Sequence, residues 1–134
     1  MNLRKISWTK QTVEEWLVIA AKVERVKPPV KPQGYQNCTL IALRGLFGNL
    51  ILDPEARNRF RPTPEQNTVW EIVMLDWFKL IDSTEDKKIV WLHANGMGWV
   101  RIGKRFHLSR QTTANRYNRA IEALARDLSR LYNL

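Results

Sequence analysis

"GMGWVRIGKRFHLSRQTTANRYNRAIEAL", residues 96–124, holds two helical patterns separated by a tight break at His107-Leu108-Ser109. In the first pattern Trp99, Ile102 and Phe106 fall at i, i+3 and i+7, the spacing of one buried helix face. Gly103 follows Ile102, where two steeply crossing helices need a small residue. Leu108 supplies an apolar plug in the turn. Ser109 can cap the second helix by accepting from a backbone N–H two or three residues on. From there Thr113, Tyr117, Ile121, Leu124, Leu128 and Leu131 follow 4-4-3-4-3 spacing, one apolar stripe over about five turns.

The other face of that second helix is polar and basic. At about 100° per residue, Gln111, Thr112, Asn115, Arg119 and Arg126 point away from the stripe. Arg110 falls in the first turn and Arg116 on the flank. A helix surface chosen only for solubility commonly mixes Glu with Lys, but no acid occurs between Asp86 and Glu122, a span of 35 residues. A face without carboxylates suits an approach to phosphate. Gln and Asn side chains can pair bidentately with adenine, and Arg with guanine.

Charge over the whole chain points the same way. The 134 residues carry 22 Lys and Arg against 13 Asp and Glu, a net charge of +9 and a pI near 10.1. Such a balance favours a polyanionic partner, nucleic acid first. The charge is polarised along the chain. Residues 97–134 hold eight basic and two acidic residues, whereas residues 64–96 hold three lysines and six acids. Residues 1–34 are basic again, seven against three.

Length and composition bound the fold. A chain of this size buries roughly 65–70% of its unfolded surface, enough for its own core. Six tryptophans suggest a small core built from large side chains. Cys38 is the single cysteine, so it forms no internal disulfide and no metal site alone. The start "MNLRKISWTK" lacks the apolar core of a signal peptide, and no run reaches the roughly 18 apolar residues of a membrane span. A cytoplasmic protein, in a bacterial cell or a phage-infected host, is the expectation.

Upstream the pattern is helical too. Thr9 or Thr12 can cap a first helix, in which Val13, Trp16, Leu17, Ala20 and Val23 recur at helical intervals until Pro28-Pro29 ends it. Pro29 and Pro32 form a PxxP pattern, read as a stiff connector rather than an SH3-type ligand. "CTLIALRGLFGNLILD", residues 38–53, is apolar and ambiguous between helix and strand. Arg57, Arg59 and Arg61 cluster in a loop. Thr63 caps a helix that has Pro64 at its first position, and Val69, Trp70, Val73, Met74, Trp77, Phe78 and Ile81 form its wide apolar face. Ser83 and Asp86 have capping-box spacing, and the helix they open stops at Gly96. No strand alternation and no repeat occurs. The expected fold is all-α: a helical and irregular segment, residues 1–62, packs on a helical core, residues 63–134.

The C-terminal part resembles a helix-turn-helix, and more narrowly region 4 of bacterial sigma factors. The resemblance covers roughly residues 85–131 and rests on Trp99-x-x-Ile102-Gly103-x-x-Phe106, then Leu108-Ser109-Arg110-x-x-Thr113, then the tail from Ala120 to Leu124. The whole chain is similar to phage and prophage helix-turn-helix proteins. The resemblance implies a transcriptional regulator that binds duplex DNA. Gln111, Thr112, Asn115 and Arg119 are the expected base readers, and Arg101, Lys104, Arg105, Arg110 and Arg116 the expected phosphate contacts. Two positions depart from the pattern. His107 stands where such turns carry Gly with positive φ, and Thr113 stands where Val or Ile is usual. Leu124, Leu128 and Leu131 either pack on the N-terminal helices or form a homodimer seam. Two rival readings are a module that modulates RNA polymerase and a DNA-packaging recognition subunit assembled as a ring.

Nothing points to catalysis. His93 and His107 are the only histidines, and His93 reads as a packed or capping residue. One Cys and two separated His give no zinc pattern. Gly96-Met97-Gly98 lacks the lysine of a phosphate loop. The acid pairs Glu14-Glu15 and Glu85-Asp86 are expected in first turns, where they favour the helix dipole. No cofactor is expected.

Overall fold

Of the two threonines able to start the first helix, Thr9 does so. Its backbone is extended (φ −93°, ψ 167°), and its hydroxyl accepts from the Thr12 N–H at 3.3 Å. Helix α1 then runs Lys10–Val26. With Thr9 as the cap, Glu14 and Glu15 lie beyond the first turn, which holds no acid, so their expected dipole role falls away. Lys27 leaves the helix in extended conformation (φ −70°, ψ 145°), as a residue before proline must. The computed structural model describes residues 3–27 and 60–132. Pro29, Pro32, Cys38, the apolar run 38–53, Arg57 and Arg59 lie outside the described residues; Arg61 is exposed.

Helix α2, Pro64–Ile72, opens on a full capping box. The Thr63 hydroxyl accepts from Gln66 N at 3.2 Å, and the Gln66 side chain accepts from Thr63 N at 2.9 Å. The apolar spacing predicts one helix on to Ile81, but α2 changes its winding. Residues Val73–Trp77 form a π turn, closed by the Phe78 N–H on the Val73 carbonyl, and Phe78–Leu80 form a 3-10 turn. The π turn holds one residue more than an α turn. Val73, Met74, Trp77 and Phe78 are all buried along it.

Helix α3, Thr84–Ala94, is capped by the Ser83 hydroxyl, which accepts from Asp86 N at 3.3 Å. Ile89, Val90, Trp91, Leu92 and Ala94 are buried, so the second half of this helix sits inside the fold while its charged first half, Thr84 to Lys88, reaches solvent. Helix α4 is Trp99–Phe106 and helix α5 is Arg110–Tyr132. Among the described residues the chain is all-α, with five α-helices and no strand. No helix among them is long and apolar enough to cross a membrane.

One buried cluster draws on all five helices. Helix α1 packs on α2, α3 and α5; α3 and α4 also pack on α5. Four aromatic rings form the wide end of this core. Trp16 stacks on Trp77 with centroids 5.3 Å apart, and Trp8 meets both edge-on at 5.0 and 5.3 Å. Tyr132, from the end of α5, lies 5.3 Å from Trp8. Each such pair adds about 0.5–1.5 kcal/mol beyond the area it buries. The Trp70 indole N–H donates to Glu24 at 2.7 Å, and the Lys27 ammonium sits 4.5 Å above the Trp70 ring, so α2 is tied to the end of α1.

Of the two readings of Leu124, Leu128 and Leu131, packing within the chain holds for the first two. Leu124 and Leu128 are 2% and 0% exposed in the chain's own core and offer nothing to a second copy. Leu131 is 50% exposed, and Tyr132 takes the inward place at the end of the stripe. The i+4 step from Leu128 to Tyr132 keeps the larger side chain against Trp8.

Candidate nucleic-acid interface

The site begins where α3 stops. Gly96 adopts φ +90°, Gly96 N donates to the His93 carbonyl at 2.9 Å, and Met97 N donates to the Leu92 carbonyl at 3.1 Å. This closes α3 and turns the chain toward α4. Asn95 adds a side-chain bond to the Trp91 carbonyl at 2.8 Å.

The turn between α4 and α5 has the left-handed residue the sequence pattern demands. His107 adopts φ 56°, ψ 41°, alone among the described non-glycine residues in having positive φ. Its own N–H and that of Leu108 both turn back to the Gly103 carbonyl, the second at 2.9 Å. Gly103 is needed for the same close approach. A Cβ there would lie 2.6 Å from the Leu108 carbonyl oxygen and 3.1 Å from Thr113 Oγ1. The Ser109 hydroxyl accepts from Thr112 N at 3.1 Å and donates to Thr112 Oγ1 at 2.8 Å, which opens α5. Thr113 is fully buried, yet its hydroxyl is satisfied by the Ser109 carbonyl at 2.8 Å. The polar plug therefore serves the first turn of its own helix.

Beneath α5 lies a second aromatic cluster. The His93 ring is parallel to Trp99 at 4.0 Å and meets Tyr117 edge-on at 4.5 Å. Its Nδ1 is 3.3 Å from the Met97 carbonyl oxygen. Burial holds the His93 pKa below 6.5, against the opposing pull of the Met97 carbonyl and Glu14, and Lys10 adds to the depression. Burial, and after it the negative charge of Glu14, push the Tyr117 pKa up. One ring from each of α3, α4 and α5 thus fixes how α4 and α5 meet.

The expected base readers Gln111, Thr112, Asn115 and Arg119 are all exposed on α5. Arg101, Lys104 and Arg105 are exposed on α4, and Arg110 at the start of α5. Arg116 has a different place. Its Nε donates to Asp86 at 3.0 Å, its Nη2 lies 2.8 Å from Asp86, and its Nη1 lies 2.8 Å from Glu85. It pins α5 to the first turn of α3, with its guanidinium shared between two carboxylates. The Asp86 carboxylate faces Arg116 rather than completing a box with Ser83.

The edges of the exposed face differ. On the α3 side a groove is lined by Asp82, Asp86, Arg116, Arg119 and Asp127, with apolar Leu80 and Leu124. On the α1 side the Lys10 ammonium donates to Asn118 Oδ1 at 2.7 Å. Sequence reasoning missed Lys10, since 108 residues separate it from its partner. Among the described residues no three His, Cys, Asp or Glu side chains gather as they would for a metal ion.

No curated protein and no solved structure matches the chain. A family model does, over residues 24–124, which take in α2, α3, α4 and the first fifteen residues of α5. By that match the chain belongs to the family described as a domain of unknown function, DUF6362.

Proposed function

We propose that α4, the His107 turn and α5 form a DNA-binding helix-turn-helix. In this reading the exposed face of α5 enters the major groove of duplex DNA. Gln111, Thr112, Asn115 and Arg119 meet base edges, while Arg101, Lys104, Arg105 and Arg110 meet phosphates. The resemblance to sigma region 4 and to phage regulators makes the protein a regulator of transcription. One observation carries the reading: α5 turns its stripe from Thr113 to Leu128 into the core, which leaves a polar, basic face, without a carboxylate from its first residue to Ile121, open at the end next to the left-handed turn.

The test is a titration of random and genomic duplexes at several salt concentrations. Each phosphate neutralised removes about 0.9 log unit of affinity per log unit of salt, so four contacts give a slope of roughly −3.6. Asn115→Ala should relax sequence preference, and Lys104→Ala should weaken all duplexes alike. The absence of duplex binding at about 50 mM salt, where such contacts are strongest, would reject the proposal. Equal, uniform weakening by both variants would reject the assigned reading face.

A further inference from the structure

The exposed face of α5 is bordered by two unlike edges, and a duplex backbone running beside the helix meets one of them more closely. On the α3 edge stand Asp82, Glu85, Asp86 and Asp127 against two cations, Arg119 and an Arg116 already paired to two of these carboxylates. A phosphate brought there faces like charge. On the α1 edge stand Asn118 and Lys10, both in reach of solvent. Two acids lie near that edge, Glu14 of α1 and the exposed Glu122, four residues along α5 from Asn118.

We infer that Lys10 is a phosphate contact of the proposed interface, held in place by Asn118, and that the DNA backbone follows the α1 edge of α5. This rests on the duplex-binding reading above. An ammonium has three donors, and Asn118 Oδ1 takes one, which leaves two to a phosphate. The bond also restrains a flexible side chain before binding, so less freedom is lost on contact. The first helix of the chain thereby enters the interface, although its sequence shows no DNA-binding pattern.

The experiment measures duplex affinity against salt for the full chain, for Lys10→Gln and Lys10→Arg, and for Asp127→Asn on the opposite edge. Lys10→Gln is expected to weaken every duplex alike and to flatten the salt slope by about 0.9, with Lys10→Arg near the parent slope. Asp127→Asn is expected to leave the slope as it is. A Lys10→Gln slope equal to that of the parent, in a parent that binds duplex steeply, would overturn this inference and leave the interface standing. A parent chain that binds no duplex would overturn both. A larger effect at Asp127 than at Lys10 would place the backbone on the α3 edge and reject the inference. Lys10 is exposed, so an unchanged melting temperature for Lys10→Gln checks that the loss comes from the charge.

Discussion

Trp77 and His93 lie at the centres of two aromatic clusters in one core, and the clusters treat their polar atoms differently. Around Trp77, the rings of Trp8, Trp16 and Tyr132 pack by shape, with the Trp8 indole N–H donating outward to the Leu3 carbonyl at 3.2 Å. Burial raises the Tyr132 pKa, and the nearby Trp77 indole offsets part of that rise. Even so, Trp77 Nε1 and the Tyr132 hydroxyl are buried without hydrogen-bond geometry to any partner. Around His93, the ring nitrogen is directed: Nδ1 lies 3.3 Å from the Met97 carbonyl oxygen. The first cluster joins α1, the turns after α2 and the end of α5, away from the proposed reading face at the start of α5. The second lies under the start of α5. Packing by shape maximises buried area, whereas directed bonds fix relative angles, and only the second cluster stands where an angle sets the aim of a helix.

Substitutions should separate these two roles. The largest effect is expected at Trp77→Ala, which removes a fully buried ring and should cost about 3–5 kcal/mol, read by denaturant unfolding. If it costs less than Trp99→Ala, the wide aromatic end is not the main source of stability. Next is Gly103→Val, whose side chain meets the Leu108 carbonyl. A cost of about 1–3 kcal/mol is expected, with a further loss of duplex affinity in the molecules still folded. Unchanged stability would show that α4 and α5 can separate without strain. His107→Gly should stabilise by up to about 1 kcal/mol, because glycine takes positive φ without a Cβ clash. A loss of stability would mean that the imidazole itself supports the turn.

The smallest effect is a pH dependence. Because the native pKa of His93 lies below its ordinary 6.5, the unfolded chain binds more protons than the native one as pH falls past 6.5. Stability should therefore be full above that value and decline on acidification toward the lower native pKa. His93→Phe should keep the stack on Trp99 and shallow the decline. Melting curves at pH 7.5 and 5.5 for both proteins read the difference; parallel shifts in the two would place the titration elsewhere.

How much could be read in advance depended on range. The caps at Thr63, Ser83 and Ser109, the stop at Gly96 and the small residue at 103 were all legible in the sequence. Each is settled by backbone groups within about five residues, and side-chain type alone answers them. So was the buried stripe from Thr113 to Leu128, because the helical period repeats along α5. The change of winding after Ile72 was not, since an apolar run satisfies an α turn and a π turn alike until a core selects one.

The placement of charge needed the tertiary structure most. Arg110 and Arg116 lie in the same basic run, yet one is exposed and the other is clamped by Glu85 and Asp86. Which arginine meets an acid depends on how α3 crosses α5, and no local pattern encodes a crossing angle. Lys10 reaches Asn118 for the same reason. The sequence by itself determined the helices, their caps and the turn that aims the last one, because these are local contests for backbone hydrogen bonds. Only the tertiary structure decided which cations stay free on the surface, because ion pairs form between helices brought together by burial of their apolar faces.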